Sequence, residues 1–169
     1  MKNLHKPVLL NEIISFIPKN KSINVIDATF GGGGYSKSIL KNFDVGKLIA
    51  IDRDPISKVF AEELIDKFDN FSLINGRFSK IDELVSKHTN NKINDFDIII
   101  FDLGLSSNQI ENPDRGFSFK FDGPLDMRMD NNVIKVSNII NTYSEKKLAE
   151  IIYKFGEERR SRRIAKKIV

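Results

Sequence analysis

Cysteine is absent from the 169 residues, which excludes disulfides and thiolate metal sites. Histidine is nearly absent, and the two present, His5 and His88, lie too far apart in sequence to suggest a local zinc pair, so no metal centre is expected. Nowhere is there a run of about 18 uncharged apolar residues long enough to cross a membrane. The amino terminus, "MKNLHKPVLLNEII", carries a carboxylate and lacks a small-residue cleavage site, which argues against a signal peptide. These absences leave a soluble, cytoplasmic protein without membrane contact as the expectation. The 40% hydrophobic content supports a globular core.

Net charge is small, +4, but unevenly placed. "RRSRRIAKK", from Arg159 to Lys167, packs six cations into nine residues. From that run alone, a solvated helix face partly neutralised by Glu157 and Glu158 is preferred over a nucleic-acid surface.

What is present is an alternation of strand-like and helical patterns. "INVIDATF", "LIAIDRD", "FSLINGRF" and "DFDIIIFDLG" read as strands, the third being the weakest. Helices are expected between them at about 35–42, 55–67 and 80–87, with Pro55 in a first turn. That is βαβαβαβ, an α/β chain with a parallel sheet covered on both faces, as the near-continuous apolar runs "VIDA", "LIAI" and "DIIIF" require. After Gly104 the pattern lapses for some 28 residues with two prolines and two glycines, an irregular stretch of the length usually kept for function. Helices resume at Val136. Ser144 is placed to cap one, Gly156 to end it, and a second is expected over 157–169. Only four strands are legible, half of a doubly wound sheet, so a truncated chain with the outer edge of the fourth strand open is expected.

In open α/β sheets the ligand crevice lies at the carboxyl ends of the strands. After the first strand, "DATFGGGGYS" places Gly31–Gly34 where bare backbone and helix amides approach a ligand closely. The dinucleotide spacing G-x-G-x-x-G, laid on Gly31 and Gly33, meets Ser36 where the third glycine belongs, which weakens a nicotinamide reading. Asp27, four residues before Gly31, disfavours a pyrophosphate and suits a cationic sulfonium and amine, so S-adenosyl-L-methionine is the favoured cofactor. Asp52, closing the second strand, is placed for ribose hydroxyls rather than a cap, whereas Asp54 is read as the cap. Phe78 suits an adenine face or the core equally. Asp102 after "IIIF" reads as functional, since a buried carboxylate there would be costly without a partner.

"HKPVLLNE", "DATFGGGGYS", "AIDRDP", "DLGLSSNQ", "RGFSFKFDGPLDMRMD" and "FGEERRSRRIAKKIV" occur in one order and together resemble the bacterial RsmH (MraW) family. The likeness runs from Leu4 to Val169. It implies a Rossmann-like class I methyltransferase sheet, represented by its first four parallel strands, followed by a partial helical insertion. On that reading 1–103 is the cofactor domain, 104–135 an active-site and substrate loop, and 136–169 the start of the insertion. The implied activity is S-adenosylmethionine-dependent methylation of the exocyclic N4 of a cytidine in the decoding region of 16S rRNA, with that rRNA or the small ribosomal subunit as partner. The implied cofactor residues are Gly33, Gly34, Tyr35, Asp52, Phe78, Asp102 and Gln109. Tyr35 stands where the family often has histidine, which a backbone contact would tolerate.

For such a reaction, Asp102 comes first as acceptor of the N4 proton, with Ser106, Ser107 and Asp126 as further candidates. Phe117, Phe119 and Phe121, alternating along the loop, offer a stacking face or pack under it. Arg115 and Arg128 would meet phosphates, which raises a phosphate-binding role for the basic run to equal standing with the solvated face. Two other classes stay open: a non-catalytic fragment that binds cofactor and RNA, and a nicotinamide-dependent oxidoreductase.

Overall fold

The computed structural model describes residues 7–131 and 133–169, so His5 lies outside the described residues. Two compact units divide the chain, Met1–Asn108 and Gln109–Val169. In the first, the order is α1 (Leu10–Ser15), β1 (Ile23–Asp27), α2 (Gly34–Asn42), β2 (Val45–Asp52), α3 (Ser57–Lys67), β3 (Phe71–Asn75), α4 (Ile81–His88) and β4 (Ile98–Ile100). Short 3-10 turns at Phe78–Lys80 and Ile93–Asp95 lead into and out of α4. The strands pair parallel in the order β3-β2-β1-β4, which is the expected βαβαβαβ sheet.

Strand alternation builds two apolar layers. Ile23 and Val25 of β1, Leu48 and Ala50 of β2 and Phe71 of β3 face one side, where they meet Ile39 and Leu40 of α2 and Ala61 and Leu64 of α3. Ile26, Ile49, Ile51 and Ile74 face the other, against Val85 of α4. Each isoleucine, leucine, valine or phenylalanine among them withdrawn from water contributes about 1.5–3 kcal/mol, and the central strands are buried on both faces. α1 is a helix that the strand-and-helix pattern did not announce. Its Leu10, Ile13 and Ile14, with Ile17 just beyond, recur at helical spacing and pack on the first layer.

β4 is shorter than "DFDIIIFDLG" suggested. Only Ile98–Ile100 pair with β1, and Ile99 and Phe101 are exposed. β4 is the edge of the sheet, so residues after Ile100 have no neighbouring strand to order them.

The two units meet in sequence within α5 (Ser107–Glu111). That helix, and a 3-10 turn at Pro113–Arg115 with Asn112 Oδ1 accepting the Asp114 N–H, occupy part of the stretch expected to be irregular. The loop beyond is closed by its own backbone. Gly116 is left-handed at φ 72°, and a Cβ on it would strike the Pro124 carbonyl; a Cβ on Gly123 would strike that of Pro113. An Arg115 guanidinium nitrogen donates to the Arg128 carbonyl at 2.7 Å.

Three helices follow, α6 (Val136–Thr142), α7 (Glu145–Gly156) and α8 (Ser161–Ile168). Ser144 caps α7 as expected, its hydroxyl accepting the Lys147 N–H at 3.4 Å. α7 ends at Gly156 as expected, with the left-handed position at the next residue, Glu157, at φ 51°. The reversal at Glu157 and a turn over Glu158–Ser161, in which Glu158 also accepts the Arg160 N–H, delay α8 to Ser161. Leu148, Ala149 and Ala165 form the small core joining α7 to α8, with Ile139 and Tyr143 packed against it.

Candidate functional site

At the carboxyl end of β1 the chain buries a charge. Asp27 is 1% exposed, and its carboxylate accepts the Ser36 hydroxyl at 2.7 Å and the Thr29 N–H at 3.4 Å. Among the described residues no cation pairs with it. Burial pushes its carboxyl up, to about 6, against the opposing pull of these hydrogen bonds. Ser36 is itself fully buried. The residue that breaks the dinucleotide spacing is therefore the hydroxyl that satisfies Asp27, a role glycine could not fill.

Asp52, at the end of β2, is half-buried. One oxygen accepts the Gly31 N–H at 2.6 Å and the other the Asp54 N–H at 2.8 Å, so it ties the glycine loop to the second strand. Burial raises its pKa also. A carboxylate has about four acceptor positions, so two amide donors leave capacity for hydroxyl donors from a ligand. Asp54 Oδ1 accepts the Ile56 N–H at 3.2 Å in the turn ahead of α3, so it does not cap the helix itself, which begins at Ser57 rather than Pro55 with Ile56 at its N-cap.

The glycine run serves the protein's own packing as well as any ligand. Gly31 and Gly33 are left-handed, at φ 54° and 77°. A Cβ on Gly33 would come within 2.7 Å of the Phe30 ring, and one on Gly34 would strike the Pro7 ring. From the other side, the segment after β4 lies against the loop: a Cβ on Gly31 would sit 3.6 Å from that of Ser106, and one on Gly32 3.2 Å from Asn108 Nδ2. Tyr35, in the first turn of α2, turns its ring into the apolar layer and donates its hydroxyl to the Val8 carbonyl. With the side chain so engaged, only its backbone is free to face the crevice.

Phe78 is 41% exposed rather than a core residue, its ring set edge-on to Phe101 at 5.6 Å between centroids. Asp102 corrects one expectation. Its side chain is exposed, not buried, because it lies two residues beyond the end of the edge strand β4. The argument from a costly buried charge does not apply to it. Its N–H donates to Thr29 Oγ1 at 2.7 Å, which holds the turn after β4 to the turn after β1. Ser106 and Ser107 are half-buried at the approach to and start of α5.

In the second unit Gln109 is buried, 6% exposed. Asp126 is fully engaged: Arg128 reaches both its oxygens, at 2.7 and 2.9 Å, and Lys135 lies 3.5 Å away. These cations hold its carboxyl far below the usual range, which makes it a weak proton acceptor. Arg115 and Arg128, expected to meet phosphates, are thus both spent on holding the loop. Phe117 is half-buried with the Arg115 guanidinium 6.0 Å from its ring centroid, whereas Phe119 is fully exposed and Phe121 53% exposed.

Residue-by-residue reading missed Thr29, whose hydroxyl holds the segment after β4, and Asn108 and Pro7, which lie against Gly32 and Gly34. Thr29 had a local signal, a hydroxyl between a strand-end carboxylate and the glycines. Asn108 and Pro7 had none, since their contacts span long stretches of sequence.

A family description, the MraW methylase family, matches residues 2–169. Three curated relatives similar to the chain carry the name ribosomal RNA small subunit methyltransferase H. That of Rickettsia bellii (strain OSU 85-389) is 46% identical over 171 residues, covering 100% of this chain and 53% of the relative. That of Orientia tsutsugamushi (strain Boryong) is 43% identical over 170 residues, with coverage of 100% and 53%. That of the Wolbachia of Drosophila simulans (strain wRi) is 46% identical over 167 residues, with coverage of 98% and 56%. The chain spans about half the length of the curated relatives it matches. The family match over nearly every residue, on a parallel sheet whose glycine loop sits between two strand-end carboxylates, means that this chain belongs to the MraW methylase family.

Proposed function

We propose that this chain is the cofactor-binding part of an S-adenosyl-L-methionine-dependent methyltransferase acting on the N4 amine of a cytidine in the decoding region of 16S rRNA, in the cytoplasm. One observation carries the reading. Asp27 is a buried carboxylate with hydroxyl and amide donors but no cation, beside a second carboxylate, Asp52, beneath a bare glycine loop. Such a crevice repels a pyrophosphate and suits a cationic cofactor. The names of the relatives support the substrate class.

The residues present fit that cofactor. Gly34 and Tyr35, at the amino end of α2, would offer it backbone amides, and Gly33, whose own N–H donates to the Phe30 carbonyl, would let it approach bare backbone. Asp52 has acceptor capacity left for ribose hydroxyls, and exposed Phe78 offers a flat face to adenine. Asp102 and Gln109 complete the proposed set. When bound, the cofactor supplies an electrophilic methyl carbon on a sulfonium. The chain's own work is positioning, holding the N4 amine in line with that carbon, because the amine lone pair is delocalised into the ring. Asp102, exposed and fixed through its N–H to Thr29, accepts the proton that N4 loses. Ser106 and Ser107 are secondary candidates, and Asp126 ranks last because Arg128 and Lys135 neutralise it. Residues 1–103 would carry the cofactor, 104–135 the substrate loop, and 136–169 the beginning of a helical insertion.

Isothermal calorimetry of the 169-residue chain tests the reading. S-adenosylmethionine should bind, Asp52→Ala should weaken it at least about tenfold, the loss of one charge-assisted hydrogen bond, and NADH should not bind. A folded chain that takes NADH and not S-adenosylmethionine would refute it. Mass spectrometry of nucleosides from small-subunit RNA, after incubation with labelled cofactor, then reads whether N4 is the atom modified.

A further inference from the structure

Among the described residues, α8 carries a dense cluster of exposed cations. Ser161 and Ala165 are buried, and Ala165 belongs to the core joining α8 to α7. At about 100° per residue, Arg162, Arg163, Lys166 and Lys167 fall within about 140° of the helix circumference, on the side away from Ser161 and Ala165. All four are exposed, as are Arg159 and Arg160 in the turn that precedes them. Among the described residues no carboxylate pairs with any of these six side chains. Glu158, the nearest acid in sequence, gives an oxygen to the Arg160 backbone N–H instead. The loop arginines are the opposite case, since Arg128 is matched by Asp126 and Arg115 is held by a carbonyl.

We infer that the exposed cationic face of α8, with Arg159 and Arg160, is the surface by which this chain grips the phosphate backbone of RNA. The inference rests on the proposed action on rRNA and adds where the polyanion is held. An unpaired row of four arginines and two lysines lowers its own repulsion by taking up phosphates and releasing their counterions, and arginine forks match phosphate oxygens. An anionic membrane would attract the same charge. An amphipathic helix binds bilayers through a broad apolar stripe, however, and that of α8 is narrow, Ala165 being buried against α7 and only Ile164 and Ile168 left exposed.

The salt dependence of RNA binding tests this. The native chain and R162Q/R163Q/K166Q/K167Q are titrated by filter binding with an RNA hairpin of the decoding region between about 50 and 200 mM salt. Removing four phosphate contacts flattens the slope of log K against log salt by about 3, so that a fourfold rise in salt weakens the variant about 60-fold less than the native chain. R162K/R163K, which keeps the charge, should retain the native slope. An unchanged slope in the glutamine variant overturns the inference. So does native-chain binding to phosphatidylserine vesicles in the absence of any binding to RNA. Cofactor calorimetry on the same variants separates the two readings. Retained S-adenosylmethionine binding with an unchanged RNA slope removes this surface and leaves the proposed function standing. A flattened slope in a chain that never binds the cofactor keeps the surface and removes the cofactor reading.

Discussion

The two units solve stability in different ways. Up to Asn108 the chain has two continuous apolar layers on either side of a parallel sheet, and fully buried isoleucines, leucine and valine lie at its centre. From Gln109 the buried apolar set shrinks to Leu148, Ala149 and Ala165, while Ile134, Tyr153 and Phe155 stand exposed. A thick core tolerates a buried, unpaired carboxylate such as Asp27 because many other contacts offset its cost. A thin one keeps its charges on the surface or matched, as Asp126 is by Arg128. The buried carboxylate thus sits in the first unit and the densest run of exposed cations in the second.

The sharpest way to break this comparison is a pair of core truncations. Ile49→Ala, at a fully buried site in β2, should cost about 4 kcal/mol by urea denaturation, and Leu148→Ala, in the small helical core, about 2 kcal/mol. The reverse order would mean that the sheet does not dominate.

Next in size is Asp27→Asn. A carboxyl moved from 3.8 to about 6 costs the fold about 3 kcal/mol once ionised. The folded state holds that proton more tightly than the unfolded one. The group's stabilising contribution is therefore full below about pH 3.8 and lost as pH rises through about 6. Asn retains an acceptor for Ser36, so the variant should be more stable than the native chain above pH 7, with the gap closing towards pH 4. A gap independent of pH between 4 and 8 would show that Asp27 does not titrate as described.

Smallest is Glu157→Gly. Relieving a left-handed non-glycine residue at the end of α7 should stabilise the second unit by about 0.5–1 kcal/mol. A thermal melt showing a loss would mean that the Glu157 side chain does more than cover the turn.

Much of the first unit was legible because buried parallel strands write themselves as apolar runs. β1 and β3 begin where "INVIDATF" and "FSLINGRF" begin, though both stop short of those stretches, whereas β2 starts at Val45, three residues ahead of "LIAIDRD", because Gly46 and Lys47 hide its first pairs from an apolar reading. β4 was over-extended because "DIIIF" is apolar throughout while pairing depends on a neighbour that the edge lacks. Asp102 was misjudged as buried by the same reasoning. Ser36 was read only as a missing glycine, since a hydroxyl that satisfies a carboxylate nine residues away leaves no periodic trace. The basic run was visible at once. Which cations were unmatched was not, because Arg128 and Asp126 sit two residues apart in a loop whose shape depends on Gly116 and Gly123.

The Pro7 ring lying against Gly34 has a consequence for descent. A methyl group on Gly34 has no room while the ring is there, so drift at either position exposes the other to selection. Across lineages the two should change together or not at all, so that Pro7 is inherited as part of the glycine loop.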